Sequence, residues 1–174
     1  MDRKPPIQLT PDWTGRLLIL KPSSLGDIVH ALPVLTALRR ACPQAHIAWM
    51  VRPELAGLLE CVSGIDEILV FDRRTMGRWF TPAGISSLHA FIKKLRRGRY
   101  DLALDLQGLL RSALFARAAG CRVRIGLSEA REGAVFFYTH TAAAPSSPHI
   151  PACARAHPRP RPLGGRLASA PATS

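Results

Sequence analysis

Apolar residues along this chain fall into two alternating arrangements, short continuous runs and longer stretches with apolar positions three or four apart. Residues 16–21 (RLLILK) form a nearly unbroken apolar run, as expected for a strand buried on both faces of a parallel sheet. The turn-rich segment 22–26 follows, then Ile28, Leu32, Leu35 and Leu38 at helical spacing. Cys42-Pro43 should end that helix, because proline disfavours helical backbone at the residue before it. Residues 46–51 (HIAWMV) predict a second strand, and Pro53 suits the first turn of a short helix to about Cys61, closed by Ser63-Gly64. A third strand is predicted at 67–71 (EILVF), with a polar loop, 72–80, at its carboxyl end. Thr81-Pro82 supplies an N-cap and first turn for a helix to about Arg97, with Ile85, Leu88, Ile92 and Leu95 on one stripe and Gly98 as its stop. A fourth strand at 100–106, a Gln107-Gly108 turn, a helix at 109–119 and a fifth strand at 122–126 continue the alternation.

Five strands interleaved with helices predict an α/β fold, a Rossmann-like doubly wound parallel sheet, since parallel neighbours need crossover connections that helices provide. From Thr141 onward neither period persists, and prolines at 145, 148, 151, 158, 160 and 162 break any regular element. The expected organisation is an N-terminal extension (1–15), a Rossmann-like domain (16–140) and a disordered Ala/Pro/Arg-rich tail (141–174).

Composition changes this picture mainly at the tail. The chain has 174 residues and a net charge of +12, which leaves room for one α/β domain and not for two. All 12 acidic residues lie between Asp2 and Glu132, so residues 1–140 carry +8 (20 basic, 12 acidic) and the tail +4. A basic balance attracts nucleic acid, anionic membrane surfaces or phosphorylated ligands without choosing among them. Nucleic acid is disfavoured, because Trp13, Trp49 and Trp79 form no spaced stacking platform and no recognisable module is present. Cys42, Cys61, Cys121 and Cys153 are widely spaced, so no metal site and no disulfide framework is expected. The first apolar run is too short for a signal peptide or membrane span, which points to a cytoplasmic protein.

The first strand-to-helix junction, Lys21-Pro-Ser-Ser-Leu-Gly-Asp27, lies where open α/β sheets bind ligand. It is neither G-x-G-x-x-G nor G-x-x-x-x-G-K-[ST], which disfavours NAD or ATP at this turn. It offers the Asp27 carboxylate beside Gly26, with the Ser23 and Ser24 hydroxyls alongside. From spacing alone Asp27 suits first an acid that complements the helix dipole, and alternatively a general base for a sugar hydroxyl. Residues 21–33 (KPSSLGDIVHALP) resemble the opening of the lipopolysaccharide heptosyltransferases, glycosyltransferase family 9. Residues 100–112 (YDLALDLQGLLRS) are similar to that family's Y-D-x-x-x-D-x-Q-G-L-x-x-S segment, and 126–132 (GLSEARE) to its G-x-x-x-x-A-R-E segment.

The resemblance covers residues 16–140 and implies the N-terminal half of an inverting GT-B glycosyltransferase with two facing Rossmann-like domains. It implies that this half receives the Kdo-lipid A type acceptor, with peripheral contact at the cytoplasmic face of the inner membrane. The second domain would hold the donor ADP-heptose, so no cofactor or metal is expected in this chain. Asp27 is then the base that deprotonates the acceptor hydroxyl. Ser23, Ser24, Gly26, Gln107 and Gly108 line the acceptor cleft, and Arg73, Arg74, Arg78 and Arg131 meet acceptor phosphates and carboxylates. Solvated loop positions are the bland alternative for Arg73, Arg74 and Arg78, and a tight turn for Gln107-Gly108. Lys93, Lys94, Arg96, Arg97 and Arg99 read as a charged helix end, and His30 as a packed helix residue.

The acid-free ending departs from the family and is what out-of-frame translation of a GC-rich gene yields, in keeping with 20 Arg against 4 Lys. The expectation is therefore a truncated chain inactive alone. The rival expectation is a non-catalytic Rossmann-like fragment that binds an anionic glycolipid or nucleic acid.

Overall fold

The computed structural model describes residues 9–72, 81–143 and 157–158. Its strands are β1 (Arg16–Leu20), β2 (His46–Val51), β3 (Glu67–Val70), β4 (Leu102–Asp105), β5 (Val123–Leu127), β6 (His140–Ala142) and β7 (His157–Pro158). The helices are α1 (Leu25–Ala41), α2 (Pro53–Glu60), α3 (Pro82–Arg97) and α4 (Leu110–Ala118), with a 3₁₀ turn at Ala134–Phe137.

The sheet runs β3-β2-β1-β4-β5-β6-β7, parallel through β6, with β7 antiparallel to β6. Side chains alternate across a strand, and here that alternation sorts the core into two layers. Leu17, Ile19, Ile47, Trp49, Val51, Leu102 and Leu104 face α1 and α2 through Ile28, Leu35, Leu38 and Leu59. Leu18, Leu20, Ala48, Met50, Leu69 and Ala103 face α3 and α4 through Phe91, Leu95, Phe115 and Ala116. Both faces of β1 are therefore covered, which is why its sequence is continuously apolar. Phe71, Phe91 and Phe115 close the second layer with ring centroids 4.9–5.5 Å apart in tilted and edge-on pairs.

Two expectations are corrected. The domain boundary expected at residue 140 falls inside the sheet, because Thr141 and Ala142 continue β6 beside β5. This edge is pinned from Thr139, whose Oγ1 accepts the Arg124 N–H (2.8 Å) and donates to the Arg124 carbonyl (3.1 Å), a tertiary pairing without a period of its own. Of the remaining expected tail, 144–156 and 159–174 lie outside the described residues, while His157-Pro158 pairs with β6. His30 is exposed on α1 rather than packed.

Candidate active site at the strand switch point

In this strand order the connection leaving β1 runs to one side and that leaving β4 to the other. Their carboxyl-end loops separate and leave a crevice, the usual ligand position in such sheets. Register brings the two loops level, since Leu20 lies opposite Asp105 and the Leu106 amide donates to the Leu20 carbonyl at 3.1 Å.

On the β1 side, Lys21 is buried, and its ammonium donates to the Leu106 carbonyl (3.1 Å) and pairs with Asp27 Oδ2 (3.4 Å). Trp49 Nε1 donates to the Lys21 carbonyl at 3.2 Å and holds the strand end in place. Asp27 stands in the first turn of α1, and its Oδ2 accepts the Ser24 N–H at 3.1 Å, one half of a capping box. Both contacts use Oδ2, and 50% of the side chain is open to solvent. The Ser24 amide, helped by Lys21 and opposed by partial burial, holds the Asp27 carboxyl below the usual range, so it is ionised at neutral pH. Asp27 thus performs the helix-capping role and still leaves half of its side chain open to solvent. Replacing Lys21 by Met should raise the Asp27 titration towards the ordinary aspartate value in a carboxyl-carbon NMR titration. An unchanged midpoint would show that Lys21 does not set it.

On the β4 side, Asp105 is buried beneath the Gln107-Gly108 turn. Its Oδ1 accepts the Gln107 and Gly108 amides (2.9 and 3.1 Å), and its Oδ2 accepts the Tyr138 hydroxyl (2.7 Å). Burial pushes the Asp105 carboxyl up, against the pull of Ser112, Tyr138 and the two amides. Gly108 has φ of 69°, a conformation that favours glycine. Gln107 Oε1 is buried without a hydrogen-bond partner among the described residues.

The segment at 126–132 docks on this turn. Arg131 donates its amide to the Gly108 carbonyl (2.9 Å), and Glu132 Oε2 accepts the Leu110 N–H (3.3 Å) at the start of α4. A Cβ on Gly108 would stand 3.5 Å from that of Ala130, and one on Gly126 would overlap the Tyr138 ring. The first is an ordinary van der Waals contact, whereas the second shows that glycine at 126 lets the Tyr138 ring lie against β5.

The structure therefore brings Ser23, Ser24, Gly26 and Asp27 to one loop of the crevice and Gln107 and Gly108 to the other, with Arg131 bonded to the second loop through its backbone amide. A Cβ on Gly26 would meet nothing within 4 Å, so that position is open. Arg73, Arg74 and Arg78 lie outside the described residues. Lys21, Asp105, Glu132 and Tyr138 were not singled out from sequence. The available signal was a lone cation ending an apolar strand, and for Asp105 and Glu132 the acidic positions of the two motifs at 100–112 and 126–132.

A model of glycosyltransferase family 9 (heptosyltransferase) matches residues 88–154. Lipopolysaccharide heptosyltransferase 1 of Salmonella typhimurium is 34% identical over 120 residues, covering 67% of this chain and 38% of that protein. The chain belongs to glycosyltransferase family 9. The family match runs past the composition change at residue 140. Lipopolysaccharide core heptosyltransferase OpsX of Haemophilus influenzae is 29% identical over 136 residues, 77% of this chain and 37% of that protein. The solved E. coli heptosyltransferase WaaC with ADP superposes with a TM-score of 0.67 at 31% identity, covering 76% of this chain and 43% of that one. The family 9 chain thus spans a little over a third of the length of the curated relatives it matches. Its sheet is the Rossmann-like fold of these GT-B enzymes.

Proposed function

We propose that this chain forms the acceptor-side domain of a lipopolysaccharide heptosyltransferase that transfers heptose from ADP-heptose with inversion. Asp27 is the general base. The observation that carries this reading is a half-exposed carboxylate, ionised and held in place, at the mouth of the switch-point crevice.

Inversion needs one base on the attacking side. As the new bond to the anomeric carbon forms, the acceptor hydroxyl becomes acidic, and a carboxylate of low pKa can take its proton late in the step. Ser24 and Lys21 occupy Oδ2 and orient the group for an incoming hydroxyl. The orphaned Gln107 oxygen offers an acceptor to a neighbouring sugar hydroxyl. Arg131, together with Arg73, Arg74 and Arg78, supplies guanidinium groups for the phosphates and carboxylates of a Kdo-lipid A type acceptor. Positive charge for the departing diphosphate belongs to the donor side, held by a second domain of the GT-B pair. The acceptor is membrane-anchored, so contact is peripheral, at the cytoplasmic face of the inner membrane. No helix among the described residues is long and apolar enough to cross a membrane.

The test replaces the matching segment of E. coli heptosyltransferase WaaC with residues 9–143 of this chain. Heptose transfer from ADP-heptose to Kdo-lipid A is expected from the chimera, and acceptor binding without transfer from the chain alone. An inactive but folded chimera, with no acceptor binding by the chain, would overturn the proposal.

A further inference from the structure

The amino-terminal ends of the strands carry a second concentration of chemistry. Arg96 in the last turn of α3, Arg99 just beyond it, Arg117 in the last turn of α4 and Arg122 before β5 line an open cleft of about 560 Å3 with Tyr100 and Asp101. It lies at the amino-terminal ends of β4 and β5, whereas the crevice of Asp27 and Gln107 lies at the carboxyl ends.

None of these four guanidinium groups has an ion pair among the described residues. Arg96 Nε donates to the Ala118 carbonyl at 3.1 Å and ties the ends of α3 and α4 together. The one carboxylate lining the cleft, Asp101, accepts the Arg16 backbone N–H at 2.9 Å through Oδ2, and the four arginines outnumber it. Cations in last turns complement helix dipoles, which accounts for Arg96 and Arg117. It does not account for Arg99 and Arg122, which lie outside both helices. Arg99 moreover takes a left-handed backbone (φ 47°), unfavourable for a residue with a Cβ, in the turn that brings it to the cleft. The charge is felt nearby, because Arg124 has its pKa lowered by burial and by Arg117.

Four like charges around a concave surface repel one another, and a multiply charged anion relieves that repulsion. We propose that this cleft is a binding site for a multiply charged phosphate group, separate from the transfer site. Planar guanidinium forks match phosphate oxygens in pairs, and four of them exceed what a single carboxylate uses. The phosphate is carried either by a soluble ligand or by lipid headgroups at a membrane surface.

The test uses the chain itself with two probes, inorganic pyrophosphate followed by calorimetry and phosphatidylcholine vesicles with or without phosphatidylglycerol followed by flotation. Arg99→Gln/Arg122→Gln should weaken binding at least about tenfold. Arg40→Gln/Arg111→Gln, with the same loss of charge elsewhere, should not. Circular dichroism checks that both variants fold. Pyrophosphate binding with that pattern assigns a soluble ligand, and binding only to phosphatidylglycerol vesicles with that pattern assigns the headgroup. Binding of neither probe, or equal weakening in both variants, overturns the proposal.

Discussion

Asp27→Asn in the chimeric enzyme should lower heptose transfer by about a hundred- to ten-thousand-fold, the usual contribution of a positioned base. Asparagine is nearly isosteric, and its carbonyl oxygen can still accept the Ser24 N–H that caps α1. Thermal stability should therefore change little, within about 1 kcal/mol for an altered cap. The capacity to take a proton is lost, together with a half-exposed ion pair to Lys21, whose ammonium keeps the Leu106 carbonyl, so the fall should appear in kcat with little change in the acceptor KM. The pH dependence has a definite sign. The Ser24 amide and Lys21 hold this carboxyl below the ordinary range, so wild-type activity should persist as pH falls through the usual aspartate value and fail only below it. Initial rates, melting curves and the acid limb of kcat/KM check these outcomes. Near-wild-type rates in the Asp27→Asn enzyme would exclude Asp27 as the base.

The largest effect on stability is expected at Asp105. Asp105→Ala leaves the Gln107 amide, the Gly108 amide and the Tyr138 hydroxyl without their acceptor. Each orphaned buried donor costs about 1–3 kcal/mol, offset in part by entry of water and by removal of a buried charge. A net loss of about 3 kcal/mol follows, a large share of the ~5–15 kcal/mol that holds a domain folded. Asp105→Asn keeps Oδ1 for the two amides and can donate to the Tyr138 oxygen, so most of the loss should be recovered. Burial raises the Asp105 carboxyl above its ordinary value of 3.8. A raised carboxyl contributes stability fully at pH below the unfolded value and loses it as pH rises through the folded one. The wild-type chain should therefore lose stability relative to Asp105→Asn as pH climbs through that window. Urea unfolding of the three proteins over a pH series reads both effects, and a pH-independent difference would contradict the linkage.

The crevice was partly legible in the sequence, for local reasons. Ser23, Ser24, Gly26 and Asp27 occupy neighbouring positions of one strand-to-helix junction, and Gln107-Gly108 occupies another, so each group could be placed without knowing the fold. Lys21 could not be assigned, because its partner Leu106 is 85 positions away and becomes a neighbour only when β1 pairs with β4. The Asp105–Tyr138 bond spans 33 positions and joins two segments that look independent in the chain. The boundary at residue 140 was misplaced because composition changes there, whereas β6 is held by pairing with β5 and by Thr139.

The sequence by itself determined the strands β1 to β5 and the four helices between them, because side-chain direction repeats with the local backbone period of 2 or 3.6, although on α3 the expected stripe was only partly right, with Phe91 buried and Ile85 58% exposed. The family motifs it carries also placed Asp27 and the Gln107-Gly108 turn among candidate site residues. Only the tertiary structure decided the strand order, and with it the single crevice to which these residues, Lys21 and Asp105 all belong. Parallel pairing is made across crossovers, between residues far apart in the chain, and is settled by how two helical layers close on the two faces of one sheet.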